Sequence, residues 1–376
     1  MRDLRPVELD PGYDVVDFLA AGVRADMTTC DREPIHLFGA IQPHGVLLGV
    51  REDDLTVWLA SANTGAHLGA EPPAVLGAPL IEVLGAEPVA QLRAALADPR
   101  ASGFNPLACG LPGRERYELT WHRIDGLVVV ELEPADAPGV ASTSDLFAEG
   151  RHAIEAMETA DGVKGLCDTG AAEIKHLTHY DRVMIYHFHP DWHGEVVAEA
   201  REPELEPFLG LEYPASDIPR QARKLYLLNR LRVIADVGYE PVPLLGAPDV
   251  DAQALNLSLS DLRSVSPFHL AYLTNMGVGA TLTISVMRGT RLWGMVACHH
   301  RTPKRVDAKL RSACRLLGQV LSMQAVAQYD RERDGHRAAI AQIERELVAR
   351  MSGAESLAGA LVAGSPSPVA LTAADG

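Results

Sequence analysis

The amino-acid sequence predicts an α+β chain with two antiparallel sheets, each flanked by helices, and a long helix toward the C-terminus. Three observations carry this expectation. Runs of strand character pair about tight turns at Glu52-Asp53-Asp54, Asp125-Gly126 and Arg288-Gly289-Thr290; helically spaced stretches lie between and after them; and Pro134 to Ser142 (PADAPGVAS) reads as a linker between the two sheets.

Composition narrows the class. Of the 376 residues 47% are apolar and 22% charged, as in a globular protein with room for two or three domains. The 34 Lys and Arg against 50 Asp and Glu leave a formal charge of −16, so the surface as a whole repels nucleic acid and anionic lipid. A local basic pocket in such a chain suits a small molecule. No apolar run approaches the ~18 residues of a membrane span and the N-terminus lacks a signal-peptide core, so the expectation is a cytoplasmic chain with no membrane association. The five cysteines, Cys30, Cys109, Cys167, Cys298 and Cys314, are odd in number and show no CxxC spacing, as expected of reduced thiols.

In order, residues 1–35 are polar and loop-like and carry Cys30. The stretch Ile35 to Gly45 (IHLFGAIQPHG) reads as an irregular, closely packed crossing. Val46 to Val50 and Leu55 to Ser61 read as strands, Ala74 to Ala97 as helical, and Tyr117 to Ile124 with Leu127 to Leu132 as a closing hairpin. Beyond the linker, Asp145 to Met157 and Val163 to Leu177 carry helical spacing, and Arg182 to Phe188 and Gly194 to Glu199 read as strands. Thr281 to Met287 and Leu292 to His300 form a hairpin. A long helix is expected from Lys304 to Gln328, with a seam of Leu310, Cys314, Leu317 and Leu321 that favours pairing between subunits over core packing. A separate helical stretch, His336 to Met351, follows, and Val369 to Ala374 reads as the opening of a strand in a third domain.

The chemistry gathers around Tyr213-Pro214-Ala215-Ser216-Asp217-Ile218-Pro219. Two prolines stiffen this loop, Ser216 or Asp217 can cap the helix after it, and Pro219 suits its first position. Arg220, Arg223, Lys224, Arg230 and Arg232 follow, so a helix start beside guanidinium groups is expected to attract an anion. The device recurs at Arg263, where Ser264 and Ser266 precede Pro267, and the two arginine-bearing starts suit a guest with two carboxylates. Tyr186, Tyr213, Tyr226 and Tyr272 supply aromatic faces for a large flat molecule, and His269, Tyr272 and Met276 share a helix face. In the closing hairpin Thr281, Thr283 and Ser285 point one way and Leu282, Ile284 and Val286 the other; His299 shares a face with Trp293, Met295 and Ala297, and alternation alone leaves open which face is the pocket. His176, His179, His187, His189, His193, His299, His300 and Cys298 resemble a metal-ligand inventory but lack any zinc spacing, and no GxSxG, HExxH or GxxxxGK motif is present, so neither a metal site nor a catalytic centre is expected.

Read together, the strings CDREPIH, GAIQPHG, DRVMIYHF, EYPASDIPRQARKLYLLNRLRVI, RSVSPFHLAYLTNMGV and LWGMVACHH resemble, in order and spacing, the PAS and GAF domains of bacterial phytochromes. The resemblance covers Cys30 to Gln328 and implies four segments: residues 1–35 with the bilin-attachment cysteine, a PAS domain over 36–134, a GAF domain over 143–328, and the truncated start of a PHY domain over 329–376. It implies an N-terminal segment knotted through a GAF loop, and biliverdin IXalpha joined to Cys30 by a thioether. It also implies a red/far-red photoreceptor fragment, not an enzyme, that signals by Z/E isomerisation of the bilin and forms a homodimer through GAF and C-terminal helices. By motif, Asp217 and His269 would flank the pyrrole nitrogens. Arg232 and Arg263 would hold the propionates with Tyr226, Ser266, Thr281 and Thr283; His299 would bond the D-ring carbonyl, with Tyr186, Tyr213 and Tyr272 around that ring. Phe38 stands where such proteins usually carry proline. The alternative reading is a GAF-type module binding a small anion or cyclic nucleotide.

Overall fold

The computed structural model describes residues 18–19, 29–101, 106–111, 116–135 and 143–353, with positions 356, 359, 361 and 365 beyond them. The linker 136–142, most of the expected N-terminal segment and the expected strand Val369 to Ala374 lie outside the described residues.

The first half holds strands β1 (Ala40–Ile41), β2 (Val46–Arg51), β3 (Val57–Ser61), β4 (Leu107–Gly110), β5 (Arg116–Ile124) and β6 (Leu127–Pro134). Helices α1 (Thr64–Leu68), α2 (Pro72–Val75), α3 (Leu80–Leu84) and α4 (Ala86–Ala97) lie between β3 and β4. The helical stretch expected over Ala74 to Ala97 is thus broken, because Gly77 (φ 82°) and Gly85 (φ 87°) take left-handed conformations that end a helix. Asp125 (φ 51°) and Gly126 (φ 78°) are both left-handed, the geometry of a two-residue turn matched to strand twist, and they join β5 to β6.

The second half holds α5 (Thr143–Glu158), α6 (Gly162–Thr178), β7 (Arg182–Phe188), β8 (Gly194–Arg201), β9 (Glu212–Tyr213), α7 (Arg220–Leu228), β10 (Leu231–Ile234), β11 (Val242–Gly246), α8 (Pro267–Asn275), β12 (Ala280–Arg288), β13 (Arg291–His300) and α9 (Ala308–Ser352). Its sheet runs β10-β12-β13-β7-β8-β9, all neighbours antiparallel. One face buries Leu282, Ile284, Val286, Val296 and Cys298 against α5, α6 and α9. The hydroxyl-bearing residues of β12 therefore point the other way, which settles the alternation left open by the sequence. Trp293 departs from its expected face: Val286 pairs with Gly294 and Met287 with Leu292, so Trp293 is a bulged residue and packs into the helix-side core.

The two halves interlock. The first sheet runs β1-β11-β3-β2-β6-β5-β4, so a strand from the second half sits between two from the first. Residues 35–42 are held along their length by one later stretch, 233–264. His36 O accepts from Leu257 N, Gly39 O from Leu244 N and Ala40 O from Ser264 N, at 2.8, 2.8 and 3.0 Å. The Gln42 side chain donates to Val233 O (3.0 Å) and accepts from Ala235 N (3.1 Å). Ile41, Leu47, Leu59, Val129, Leu244, Leu255, Leu257 and Leu262 fill the space between these layers.

Helix α9 corrects two expectations. It begins at Ala308, where the Asp307 side chain accepts from Leu310 N (2.8 Å), and continues unbroken to Ser352 instead of dividing near Gln328. Leu310, Cys314, Leu317 and Leu321 are buried in the chain's own core, so that seam is not open for pairing between subunits. In the first turn of α9, Arg311 enters a buried ionic cluster. Arg311 pairs with Glu133 of β6 (2.9 Å) and lies 3.4 Å from Asp261, which also takes two 2.9 Å bonds from Arg315. Burial alone would raise the Glu133 carboxyl, but Arg311 and His44 overcome it and hold it below the usual carboxylate range.

Replacing Arg311 by Met leaves the Glu133 carboxylate buried without its main partner, while Asp261 keeps Arg315. The expected cost is about 3–5 kcal/mol at pH 7, read from urea denaturation. Because the folded-state value of Glu133 is depressed, its stabilisation is present above the unfolded-state value of about 4.3 and is lost as pH falls. The gap between parent and variant should therefore narrow on acidification.

Candidate functional site

Two adjoining cavities, of about 280 and 100 Å³, open on the face of the second sheet opposite α5, α6 and α9. Asp217, Tyr226, His269, Tyr272, Thr281 and Thr283 line both, so the two form one elongated cleft.

The loop before α7 forms one wall. Asp217 N donates to Pro214 O (3.1 Å), closing a turn. Pro219 occupies the cap position of α7 with extended backbone (φ −67°, ψ 164°), one residue earlier than expected, and neither Ser216 nor Asp217 caps the helix with its side chain. Ile218, Ala222, Leu225 and Asn229 nonetheless all line the larger cavity, as their helical spacing predicts. The basic residues of α7 and of the turn after it divide. Arg220 and Arg230 are exposed, whereas Arg223 folds back to donate to Ala215 O (3.2 Å) and Ile218 O, with its guanidinium 4.7 Å from the Trp192 ring centre. Arg223 braces the loop, and the positive charge in the cleft comes from Arg232 and Arg263.

These two guanidiniums are buried, and among the described residues neither forms an ion pair with a carboxylate. Arg232 on β10 donates to Asp261 O (3.1 Å), Ser264 O (3.2 Å) and Arg263 O, pinning the segment that carries the second arginine. Arg263 donates to Ile35 O (2.8 Å), and its Nε is buried with no partner. Burial, then the charge of Arg232, holds Arg263 well below the usual arginine value. A pair of enclosed cations with an unused donor is costly unless an anion joins them, so this end of the cleft suits carboxylate or phosphate.

Beside them, Ser266 ends the chain ahead of α8 without capping it, Tyr226 and Thr283 share a hydrogen bond, and Ser285 Oγ donates to Tyr226 O (2.7 Å). In the middle of the cleft Tyr272 hydrogen-bonds the Asp217 carboxyl, and its ring lies nearly parallel to that of His269, centres 6.2 Å apart. Burial raises Asp217, and burial with Asp217 raises Tyr272 to about 12. His269 and His299 are both pulled down to about 4 by enclosure, with Arg232 adding to the effect on His269 and Arg182 to that on His299. Both imidazoles are neutral at pH 7.

The far end is aromatic and apolar. Tyr186 and Tyr213 lie with ring centres 6.1 Å apart, beside Met184, Phe208, Met295 and His299. Tyr186 is seated by two glycines. A Cβ on Gly194 of β8 would overlap the Tyr186 ring, and one on Gly294 of β13 would overlap its carbonyl oxygen. Opposite Tyr186 the β7–β8 register skips Val197, a bulge that aims the ring into the cleft.

The structure thus brings all thirteen expected site residues to the two cavities. Cys30 lines the larger one, although 187 positions separate it from Asp217 in sequence. Its turn is docked on α7 by Gln221 Nε2, which donates to Cys30 O at 2.6 Å. Sequence reasoning passed over Gln221 and Glu33, which line the same cavity; Glu33 lay inside the string that drew attention to Cys30, three residues on.

Comparison with known proteins agrees with this geometry. Residues 30–135 match the PAS fold family model and residues 163–329 the GAF domain model. The chromophore-binding domain of wild-type Stigmatella aurantiaca phytochrome P1 is 41% identical, with a TM-score of 0.74, and the match covers 78% of this chain and 98% of that one. The chain belongs to the bacteriophytochromes. The wild-type photosensory core module of the Stigmatella aurantiaca phytochrome aligns over 90% of this chain and 68% of its own, at 39% identity and a TM-score of 0.80. Among full-length relatives, cyanobacterial phytochrome B of Nostoc sp. is 38% identical over 94% of this chain and 48% of its own length. The bacteriophytochrome of Xanthomonas campestris is 39% identical over 80% of this chain and 48% of its own. The chain spans about half the length of these curated relatives. Among the described residues no helix is long and apolar enough to cross a membrane.

Two expected outcomes follow from the site's packing and protonation. Gly194→Ala should cost about 1–3 kcal/mol by forcing the Tyr186 ring aside, and far less in a chain already carrying Tyr186→Ala, which a double-mutant denaturation cycle measures. Since His269 and His299 resist protonation in the fold, stability should fall as pH drops from about 6.5, the unfolded-state value, toward 4. His299→Asn should flatten that slope.

Proposed function

We propose that this chain is the bilin-binding part of a red/far-red light photoreceptor, with biliverdin IXalpha held covalently on Cys30. The observation that carries this reading is the pair of buried guanidiniums, Arg232 and Arg263, without carboxylate partners at one end of a cleft whose other end is aromatic and whose side bears a thiol. An open-chain tetrapyrrole with two propionates matches each part of that description. When bound, it supplies visible absorption and a double bond between rings C and D whose Z/E geometry light can change.

The chain's residues would then divide the work. Arg263, through its unused Nε, and Arg232 hold the propionates and neutralise them, with Ser266, Thr281, Thr283 and Tyr226 as further hydroxyl partners. The neutral His269 and the Asp217 backbone carbonyl face the pyrrole N–H groups, and His299 reaches the D-ring carbonyl. Tyr186, Tyr213 and Tyr272 bound the space in which that ring turns, apolar enough to leave it mobile and shaped enough to limit its stopping points. A change at the ring then alters hydrogen bonding around Asp217 and Tyr272, where a light-driven event first meets the protein.

A homodimer through the GAF and C-terminal helices is part of this proposal. The buried seam of α9 does not serve it, but Leu316 and Met323, seven residues apart, are 50% and 65% exposed, and Phe147 on α5 is 75% exposed. The five cysteines are all thiols, in keeping with a cytoplasmic location. We assign no enzymatic activity to this region.

The decisive experiment mixes the apoprotein with biliverdin, records the absorption spectrum and repeats it after denaturation. Colour should remain on the denatured parent chain and leave the denatured Cys30→Ala chain; a colourless protein that binds a cyclic nucleotide saturably would instead establish the alternative. Asp217→Ala and His269→Ala should retain the pigment but shrink the light-minus-dark difference spectrum, and a spectrum of unchanged size would remove both residues from the light response.

A further inference from the structure

We infer that Glu33 is the proton-transfer residue for attachment of the bilin to Cys30, a step that rests on the covalent reading above. Cys30–Arg32 form a single 3-10 turn, with Arg32 N donating to Thr29 O (2.9 Å) and Glu33 N to Cys30 O (3.4 Å). In that geometry side chains three residues apart eclipse one another, so Cys30 and Glu33 project on the same side of the turn. Both line the larger cavity. Pro34 restricts Glu33 to extended backbone, observed at φ −62° and ψ 128°, and Gln221 anchors the turn through Cys30 O, so the pair is held rather than loosely tethered.

The carboxyl itself is poised for exchange. The Ser266 hydroxyl hydrogen-bonds the Glu33 side chain, whose Oε2 is buried without any hydrogen-bond partner among the described residues. An unpartnered buried oxygen on a carboxyl that lines the same cavity as the thiol is a free acceptor in the place where a proton must leave. Burial raises the Glu33 carboxyl while Ser266 opposes part of that rise, which moves the group toward the range in which it both takes and returns a proton near neutrality. The other ionisable groups lining this cavity are Asp217 on the loop before α7, Tyr226 on α7, Arg232 on β10, Arg263 on the segment before α8, and His269 and Tyr272 on α8. None of them shares the turn of Cys30.

The chemistry balances without an added oxidant or reductant. The Cys30 S–H bond breaks and Glu33 accepts the proton; Sγ forms a bond to one carbon of a vinyl side chain as its double bond opens, and Glu33 returns the proton to the other carbon. One S–H has been added across one C=C, and the carboxylate is regenerated.

The test separates uptake of pigment from its fixation. Biliverdin is added to the full apoprotein, uptake is followed by the change in visible absorption, and fixation by the colour left on the chain after denaturation at timed intervals. Glu33→Gln should take up biliverdin as the parent does but fix it about 10²-fold more slowly, the lower end of the range for one general acid–base group. Glu33→Asp should recover part of the rate, and added formate should accelerate fixation in Glu33→Ala. Fixation by Glu33→Gln within twofold of the parent would overturn the assignment. So would loss of uptake in both Glu33→Gln and Glu33→Ala, which would make Glu33 a structural support of the cavity. A parent chain that takes up pigment but never fixes it would refute covalent attachment to Cys30 itself, a result distinct from either of these.

Discussion

The capture of residues 35–42 by the stretch 233–264 is the constraint on which the site depends. A thiol at position 30 has no local reason to stand beside a cavity built from residues 217–299, and a free N-terminal segment would lose conformational entropy on being placed there. The backbone of residues 36–40 is instead bonded to 244, 257 and 264, the Gln42 amide spans 233 and 235, and Arg263 reaches back to Ile35. The segment is thereby ordered by the fold itself, and the turn carrying Cys30 and Glu33 emerges at the cleft already oriented.

The same stretch ties the cleft to the rest of the molecule. Asp261 offers its backbone carbonyl to Arg232 and its carboxylate to Asn229, Arg311 and Arg315, while Glu131 and Glu133 of β6 grip the neighbouring backbone and Arg311. A wall of the anion-binding end, the first sheet and the start of α9 thus meet in one buried charged cluster. Charges this enclosed interact strongly because little water screens them, and their value lies in fixing a single arrangement as much as in net stability. Since α9 runs for 45 residues from this point, a change at the arginines has a direct physical route to its first turns.

The two ends of the cleft are made by opposite means. The anion end is electrostatic, with enclosed guanidiniums and hydroxyls. The aromatic end is steric: Tyr186 sits where it does because Gly194 and Gly294 leave room for its ring and carbonyl, and because a bulge opposite it turns the strand. Neither glycine carries a positive φ, so their requirement here is space and not backbone freedom.

Much of this was legible in the sequence. Hairpin turns, strand alternation in β12 and the helical spacing of Ile218, Ala222, Leu225 and Asn229 are local signals, because backbone sterics and a two- or 3.6-residue period act within a few residues. The motif strings contained every residue of the expected site except Thr281 and Thr283, which came from the alternation of the closing hairpin. What local signals could not carry was anything that depends on a distant partner. The sheet shared between β11 and β3, the face on which Thr281 and Thr283 lie, the burial of the Leu310 to Leu321 seam and the diversion of Arg223 from ligand to loop were decided by contacts between residues far apart in sequence. Periodicity shows that a surface is apolar or charged, and only the packed chain decides what meets it.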